Sequence, residues 1–409
     1  MSLKLNSFPV EQLKVTGEDA KCGSISRNDL IATGRMVTME YIGRAGNELR
    51  KNQEYTAKLD NIGYANLAAG HKKNLLMFCA ARAYAAQGKN APEHYDQVKN
   101  DLSLHRDRTF LATLAGITTE VITPLLPYVI SNVAGHLMES TTVPLGQTKE
   151  ITVHSNDWFV FEDSSWGASR SAGINHLYDD TVTLNPRPYS CRAQIKWFQL
   201  VANDQDIGTY YNAIMAGYYG KIMALFTGAI TKIANDARYV PDYLKFDTYN
   251  SANWASAIVG VSAANRVPRS QLVAYGDYRA LQAVLPQGTP SDAALTYGLG
   301  YEWMRNGYLG VVGGVPLFDV QNVMLPGTVN TTGEMIYPKD LIVIAARAGS
   351  AYAPVYTAFA EGSPLMVQME PHETGDMSIY IDCTAVMDTK VVMGSKIAVI
   401  DNVGVSTGG

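Results

Sequence analysis

An α+β fold is predicted for this chain of 409 residues from three patterns along its sequence. Residues 1 to about 140 are polar and helical in patches. Alternation of apolar and polar residues, with the period of two that is typical of strands, begins near Val143 and continues to Val201. A long helix with one apolar stripe follows, and short strands and helices then alternate to the C-terminus.

The N-terminal segment is expected to form an arm rather than a core. Its clearest helix runs from about Lys72 to Gln87, where apolar residues recur at spacings of three and four and Gly88 ends the pattern. A second helix is expected after Pro92, in residues 93–98. Prolines interrupt the apolar stretch 121–137, so any helix there must start or kink at them.

Two alternating segments predict a long two-stranded β-ribbon. Its outgoing strand covers Lys149–His154 and Trp158–Phe161, and its returning strand covers Cys191–Val201, with a polar loop rich in Gly, Ser, Asp and Asn between them. Such a ribbon is marginally stable alone, so it needs a partner surface, either on a neighbouring subunit or on its own domain. The residues expected to contact a neighbouring subunit are Trp158, Phe159, Phe161 and Trp197.

A long helix is predicted directly after the ribbon. Residues 203–206 supply N-cap candidates, and the apolar stripe continues to about Ala234, which corresponds to a rod of roughly 40 Å. A shorter helix fits Ala252 to Ala264, and another fits Asp277 to Leu285. The later strands are expected at Leu272–Tyr275, Gly310–Phe318, Leu341–Ala345, Leu365–Met369, Ser378–Cys383 and Lys396–Ile400. The continuously apolar run at 341–345 predicts a strand that is buried on both faces.

Composition limits the possible functions. Only 17% of the residues are charged, which suggests that neighbouring subunits cover much of the surface. The formal net charge of −5 lacks the basic footprint of a tight nucleic-acid binder, although a mildly acidic wall would let a DNA duplex slide past it. The four cysteines have no CxxC spacing and are interpreted as reduced, mostly buried thiols of a cytosolic protein. No signal-peptide core and no apolar run of about 20 residues is evident, so secretion and membrane insertion are not expected.

Strong catalytic motifs are absent from the sequence. It contains no HExxH, no phosphate-binding GxxxxGK[ST] and no GxGxxG between a strand and a helix. Residues 167–171 start like a nucleophile elbow but lack its closing glycine. The carboxylate pairs 162–163 and 179–180 are explained by a polar ribbon tip. The one local group that resembles an acid/base or metal set is His372, Glu373 and Asp376, for which a solvated hairpin turn is the simpler interpretation. No catalytic, cofactor-binding or metal-binding residues are therefore predicted.

The order of these elements is similar to that of a known family. An arm, a long ribbon, a long helix, an α/β lobe and returning strands resemble the tailed-phage major capsid fold, which is named for phage Hong Kong ninety-seven and shared with encapsulin nanocompartments. The residues 313–323 are similar to the strand that precedes the late axial lobe in that family. The segments that the resemblance implies are an N-terminal arm or extension (1–142), an extended β-ribbon loop (143–203), a peripheral domain with the spine helix (204–270), an axial domain (271–354) and the returning strands of the peripheral domain (355–409).

The resemblance implies a structural protein and not an enzyme. Such a major capsid protein forms the pentamers and hexamers of an icosahedral shell around double-stranded DNA, assembles in the host bacterial cytoplasm and stays in the virion capsid. Its partners would be copies of itself, non-specifically held DNA, and portal, scaffolding and decoration proteins, with no membrane. Two alternatives stay open: an encapsulin-like compartment that binds cargo enzymes by a short peptide, and an α+β enzyme centred on the histidine and carboxylates at 372–376.

Overall fold

The fold is described by a computed structural model, in segments separated by gaps. The described residues are 21–22, 25–41, 63–126, 137–154, 179–201, 207–234, 236–284, 310–320, 322, 324, 333–350, 352–361, 365–371, 377–392, 395–401 and 403. Within these segments helices dominate the N-terminal part and strands the C-terminal part, with a long helix between them. This distribution confirms the α+β prediction.

The helices and strands are named here in chain order. The described α-helices are α1 (Arg27–Tyr41), α2 (Tyr64–Ala86), α3 (Tyr95–Asn100), α4 (Arg108–Ile122), α5 (Trp197–Val201), α6 (Ile207–Ala234), α7 (Ser251–Asn265) and α8 (Tyr278–Ala283). The described strands are β1 (Lys21–Cys22), β2 (Ile25–Ser26), β3 (Met138–Val143), β4 (Lys149–His154), β5 (Asp179–Leu184), β6 (Arg187–Lys196), β7 (Lys245–Phe246), β8 (Leu272–Gly276), β9 (Val311–Val312), β10 (Val315–Asp319), β11 (Ile342–Ala346), β12 (Val355–Ala360), β13 (Leu365–Pro371), β14 (Ser378–Val391) and β15 (Ala398–Ile400).

Several helices begin where the sequence places a polar cap. The side chains of Asp107 and Asn250 accept hydrogen bonds from backbone N–H groups in the first turns of α4 and α7, at 2.8 and 2.7 Å. Asp277 caps α8 in the same way, at 3.0 Å. These bonds satisfy backbone donors that have no partner inside the helix. The predicted positions of α7 and α8 are therefore confirmed, with residues beyond 284 outside the described part.

The first sheet has five strands, and the longest, β14, is its centre. β14 pairs antiparallel with β6, from Ser378↔Lys196 to Met387↔Arg187. It also pairs antiparallel with β13 along its first half and with β12 along its second half. β12 in turn pairs in parallel with β3, which precedes the ribbon in the chain. The sheet therefore joins strands from before the ribbon, from directly after it and from the C-terminal region.

The described N-terminal helices belong to the core, which differs from the arm that was expected for this part of the chain. α1, α2 and α4 pack on one another and on α6, and α4 also lies against β13. Their buried side chains join the largest apolar cluster of the protein, with Ile31, Leu76 and Phe110 essentially inaccessible to solvent. An ion pair between Arg27 and Glu120 ties α1 to α4. Pattern alone underestimated this part because its helices bury their apolar faces only against distant segments.

The spine helix α6 spans 28 residues, which corresponds to about 42 Å. This confirms the predicted long helix, although the N-cap candidates at 203–206 all lie outside the described part. By length and composition alone α6 is apolar enough to cross a membrane, contrary to the expectation from the sequence. Its apolar side chains, among them Tyr211 and Phe226, are buried in the protein core. This core position accounts for the composition of the helix without a membrane.

The second sheet has six strands, in the order β7-β15-β11-β8-β10-β9, and is covered on both faces. Alternate residues of its central strands divide between two apolar clusters. Val273 and Tyr275 face α6, where the ring of Phe226 meets that of Tyr275 edge-to-face at 5.6 Å. Leu272 and Ala274 face the cluster built around α7. All of β11 is buried, which confirms the prediction for the apolar run at 341–345.

A tight hairpin connects β9 and β10. Gly313 and Gly314 both have positive φ angles, 63° and 82°, as a two-residue hairpin turn requires. A Cβ at Gly313 would lie 3.2 Å from Ile258 and 3.3 Å from the indole nitrogen of Trp254, whereas one at Gly314 would meet nothing within 4 Å. Gly313 is thus required by space as well as by backbone conformation.

The boundaries of the second sheet differ from those of the predicted segments. β15, at residues 398–400, lies between β7 and β11 in the second sheet, although the returning strands 355–409 were expected to join the peripheral domain. Helix α7 packs against β11 and β15 and not against the first sheet. The second sheet and its covering helix therefore extend beyond the predicted axial segment 271–354 on both sides.

Candidate assembly surface

The described part of the ribbon consists of β4 and β5. They pair antiparallel from Lys149↔Leu184 to His154↔Asp179, and neither strand pairs with any other described strand. This corrects the predicted return strand, since residues 187–196 pair with β14 and not with β4. A two-stranded ribbon is at best marginally stable in water. The stability of the ribbon therefore depends on the contacts of its base and its faces.

A small apolar cluster holds the base of the ribbon. Val143, Leu184 and Ala358 are buried there, and Ile151 and Tyr356 are partly buried against them. These residues come from β3, β4, β5 and β12, so the cluster joins the ribbon to the edge of the first sheet. It is separate from the two larger clusters. The ribbon is thus anchored at one end.

Polar contacts reinforce this base. The backbone N–H of Asn185 donates to the Asp388 carboxylate at 2.8 Å, and the Lys390 ammonium donates to the carbonyl of Thr183 at 2.6 Å. On the other side, the Lys149 ammonium donates to the Thr141 hydroxyl. These groups are exposed, so each bond adds little stability, but together they fix the direction in which the ribbon leaves the sheet.

Strand β6 is the most exposed strand of the first sheet. Eight of its side chains are exposed, and the other two, Tyr189 and Ile195, are half-buried. Because successive side chains of a strand point to opposite faces, neither face of β6 is buried in the described structure. Among described strands it pairs with β14 alone, so it is an edge strand within the described part of the sheet. Isolated proteins normally cover or shorten such an edge. An exposed edge strand next to a two-stranded ribbon is typical of a surface that another chain covers.

The predicted contact residues fall in different places. Trp158, Phe159 and Phe161 lie outside the described residues, so their contact with a neighbour stays a prediction. Trp197 is 0% exposed, in helix α5. It therefore belongs to the core of its own chain, and its assignment to an intersubunit contact was wrong.

The surroundings of Trp197 explain its burial. Its indole meets the Phe110 ring of α4 edge-to-face at 5.5 Å and lies 6.3 Å from the His105 ring. Its backbone N–H donates to the carbonyl of Met377 at 2.8 Å, where β14 is about to begin. β6 thus ends in a helical turn that directs the indole under the sheet. The alternation of apolar and polar residues in 191–201 does not predict this change from strand to helix.

Comparison with known proteins gives similar solved structures but no matching family model or curated protein. No protein-family model and no curated protein matches the chain. Among solved structures, it is similar to the head of Helicobacter pylori bacteriophage KHP40 (12% identity, TM-score 0.44), the capsid of cyanophage P-SCSP1u (10%, 0.42) and the mature capsid of bacteriophage PhiM1 (12%, 0.41). All three are phage capsids or heads. Each match covers 65% of this chain and 88%, 86% and 85%, respectively, of the matched chain.

The residues considered for chemistry are not assembled into a site in the described part of the chain. His372, Glu373 and Asp376 lie outside it, between two strands that pair antiparallel up to Pro371↔Ile379, as a hairpin requires. Residues 162–163 and 167–171 also lie outside it, and Asp179 and Asp180 are described by their backbone only, in β5. Within the described residues no group of three His, Cys, Asp or Glu is placed to hold a metal ion.

A polar network around Asn322 was not predicted from the sequence. The Asn322 amide donates to the Asp277 carboxylate at 2.9 Å and to the carbonyl of Tyr337 at 2.7 Å, and it accepts from the N–H of Tyr337 at 2.9 Å. Burial would raise the pKa of Asp277, but hydrogen bonds from Arg279 and Asn322 hold that pKa below its ordinary value. Burial, with Asp277 nearby, raises the pKa of Asp319 to about 7. The network ties the ends of β8 and β10 to the segment at Tyr337.

Proposed function

We propose that this chain is a major capsid protein, a non-enzymatic subunit that forms the pentamers and hexamers of an icosahedral shell enclosing double-stranded DNA. It would assemble in the host bacterial cytoplasm and remain in the virion capsid. The proposal rests on surfaces that are exposed in the described part of one copy, and on an order of elements that resembles the tailed-phage capsid family.

The observation that carries the proposal is the pairing of an anchored ribbon with an exposed strand. Within the described residues, β4 and β5 are anchored at their base and pair with no other strand, and β6 pairs with β14 alone. Both features are costly for an isolated subunit, because a free ribbon is marginal and a free edge invites strand addition. In a lattice of copies, each ribbon gains a partner surface and each edge gains cover. A subunit held in this way should bury well over about 2,000 Å² against its neighbours.

Charge supports a container rather than a tight DNA binder. The formal net charge is −5, with 33 basic and 38 acidic residues. Sequence-independent DNA affinity comes from many lysine and arginine contacts to phosphate. A wall of this composition would hold DNA non-specifically and loosely. Portal, scaffolding and decoration proteins would be the further partners of such a shell.

The proposal is tested by assembly of the purified full chain, followed by sedimentation velocity and negative-stain electron microscopy. We expect closed shells or five- and six-fold rings. A stable monomer at high concentration would contradict the proposal. Small uniform shells that carry a cargo enzyme and exclude DNA would favour the encapsulin-like alternative.

The role of the ribbon is tested by the double variant Trp158→Ala and Phe161→Ala. Each truncation is expected to cost about 2 to 4 kcal/mol per intersubunit contact, so the variant should yield folded subunits or capsomers that do not close. The control is Tyr243→Ala, an exposed aromatic residue outside the ribbon, at 62% relative exposure. This variant should assemble normally. An insoluble double variant without a circular-dichroism signal would mean that the two aromatic side chains fill the core of their own chain.

A further inference from the structure

Two cysteines face each other across neighbouring strands of the first sheet. In the register of β6 and β14, Cys191 is directly opposite Cys383. Residues that are opposite in an antiparallel pair have Cα atoms about 4.5 to 5.5 Å apart and point to the same face. That spacing lies within the Cα separation that a disulfide bridges, about 4.4 to 6.8 Å. The backbone therefore needs little movement to join the two sulfur atoms.

The register that opposes the cysteines is held by neighbouring side chains. Directly beside them, the Arg192 guanidinium makes a two-pronged contact with the Asp382 carboxylate, at 2.6 and 2.7 Å. Further along, the Gln194 amide donates to the Ser378 hydroxyl at 2.9 Å. A slip of one residue would break these contacts and place the two thiols on opposite faces of the sheet. The opposition of the cysteines is thus fixed by more than backbone pairing.

The two thiols differ in accessibility, as a nucleophile and its partner require. Cys191 is exposed, whereas Cys383 is buried. The side chains share a hydrogen bond, and burial together with the Cys191 thiol raises the pKa of Cys383 to about 12. An external reagent therefore reaches Cys191 first, while Cys383 stays protonated beside it. The expectation that the cysteines are mostly buried thiols holds for Cys79 and Cys383 but not for Cys191.

We propose that Cys191 and Cys383 form an oxidisable dithiol, a modification site that closes to an intrachain disulfide when a small disulfide such as oxidised glutathione is supplied. The Cys191 thiolate attacks one sulfur of the oxidant, which forms a mixed disulfide and releases one glutathione thiol. The Cys383 thiol then loses its proton and attacks the Cys191 sulfur, which releases the second glutathione. Two protein thiols and one small disulfide thus give one protein disulfide and two small thiols. The proposal does not depend on the capsid function.

Formation of the disulfide would hold the exposed strand β6 in place. β6 follows the ribbon strand β5 after two residues and pairs only with β14 among the described strands. A covalent link at Cys191 would therefore hold this edge strand, and the root of the ribbon, to the centre of the sheet. In a reducing cytosol the thiols stay free, and the link forms only after transfer to an oxidising environment.

The test uses the purified full chain, reduced and then equilibrated with mixtures of reduced and oxidised glutathione. Remaining thiols are alkylated, and the digested protein is analysed by mass spectrometry. We expect a linked peptide pair containing Cys191 and Cys383, together with a loss of about 2 Da from the intact chain, equal to the two hydrogens removed. Cys79, which is buried, should become alkylated only after denaturation.

Variants separate this outcome from its rivals. Cys191→Ser and Cys383→Ala should each abolish the internal link, and Cys79→Ser should leave it unchanged. In Cys383→Ala, oxidation should stop at a mixed disulfide on Cys191. The proposal is overturned if the wild-type protein gives only the mixed disulfide, or only a Cys191–Cys191 dimer on non-reducing gels, while Cys383 remains a thiol. It is equally overturned if Cys383 links to a cysteine other than Cys191.

Discussion

Replacement of Trp197 by alanine distinguishes a core role from an assembly role for the end of β6. The side chain is 0% exposed, and its indole meets the Phe110 ring at 5.5 Å with an interplanar angle of 69°. Truncation of a buried tryptophan or phenylalanine to alanine usually costs about 3 to 5 kcal/mol. The edge-to-face contact contributes about 0.5 to 1.5 kcal/mol beyond the buried area. We therefore expect Trp197→Ala to lower the free energy of unfolding by about 4 kcal/mol, and not by the minimum of the range.

A conservative variant provides the control. Within the described part of the chain, the indole N–H of Trp197 has no hydrogen-bond acceptor. Trp197→Phe therefore sacrifices no described hydrogen bond and keeps an aromatic ring against Phe110. Its cost should be clearly smaller than that of Trp197→Ala, because loss of part of the ring leaves a smaller cavity than loss of the whole side chain.

The assay is urea unfolding followed by far-ultraviolet circular dichroism, at one protein concentration for all variants because assembly stabilises the folded state. With an m-value of about 3 kcal/mol/M, a loss of 4 kcal/mol would lower the midpoint by about 1.3 M. An unchanged midpoint for Trp197→Ala, combined with failure to form shells, would refute the core placement. It would return Trp197 to the intersubunit contacts.

Three further predictions follow from the described geometry. Gly313→Ala should lower the free energy of unfolding by about 1 kcal/mol more than Gly314→Ala. Both substitutions place a Cβ at a positive φ, but only the Cβ at position 313 would be crowded by neighbouring side chains. Equal urea midpoints for the two variants would contradict this. Since the pKa of Asp319 is raised from 3.8 to about 7, its folded form binds the proton more tightly, and the free energy of unfolding should fall as the pH rises through this interval. Asp319→Asn should flatten that slope in pH-dependent unfolding, and an unaltered slope would exclude this group as its source. The polar residues expected to form a hairpin turn after β13 are His372, Glu373 and Asp376. Their replacement by alanine should leave shell yield within a few-fold, and loss of a bound metal ion, measured by elemental analysis, would contradict the turn interpretation.

Local patterns determined much of the secondary structure. The apolar stripe that ends near Ala234 predicted the spine helix, and the uninterrupted apolar run 341–345 predicted a strand buried on both faces. The turn at Gly313 was recognisable from its two adjacent glycines. These features depend on the spacing of side chains within one helix or strand, which the sequence displays directly.

The partner of each strand was decided by the tertiary structure. Residues 191–196 alternate as a ribbon strand would, yet they pair with β14, and the chain then turns into a helix that buries Trp197. Alternation reports that one face of a strand is covered but not which segment covers it. The same limit explains why the N-terminal helices were expected to form an arm.

The candidate assembly surface shows the same division. The sequence by itself determined that a ribbon exists near 149–154, that the chain is mildly acidic and that strong catalytic motifs are absent. Only the tertiary structure placed Cys191 opposite Cys383 and left β6 exposed at an edge of the sheet. The physical reason is that such pairs join residues far apart in the chain. Their meeting depends on the combined burial of many side chains and not on the residues near either one.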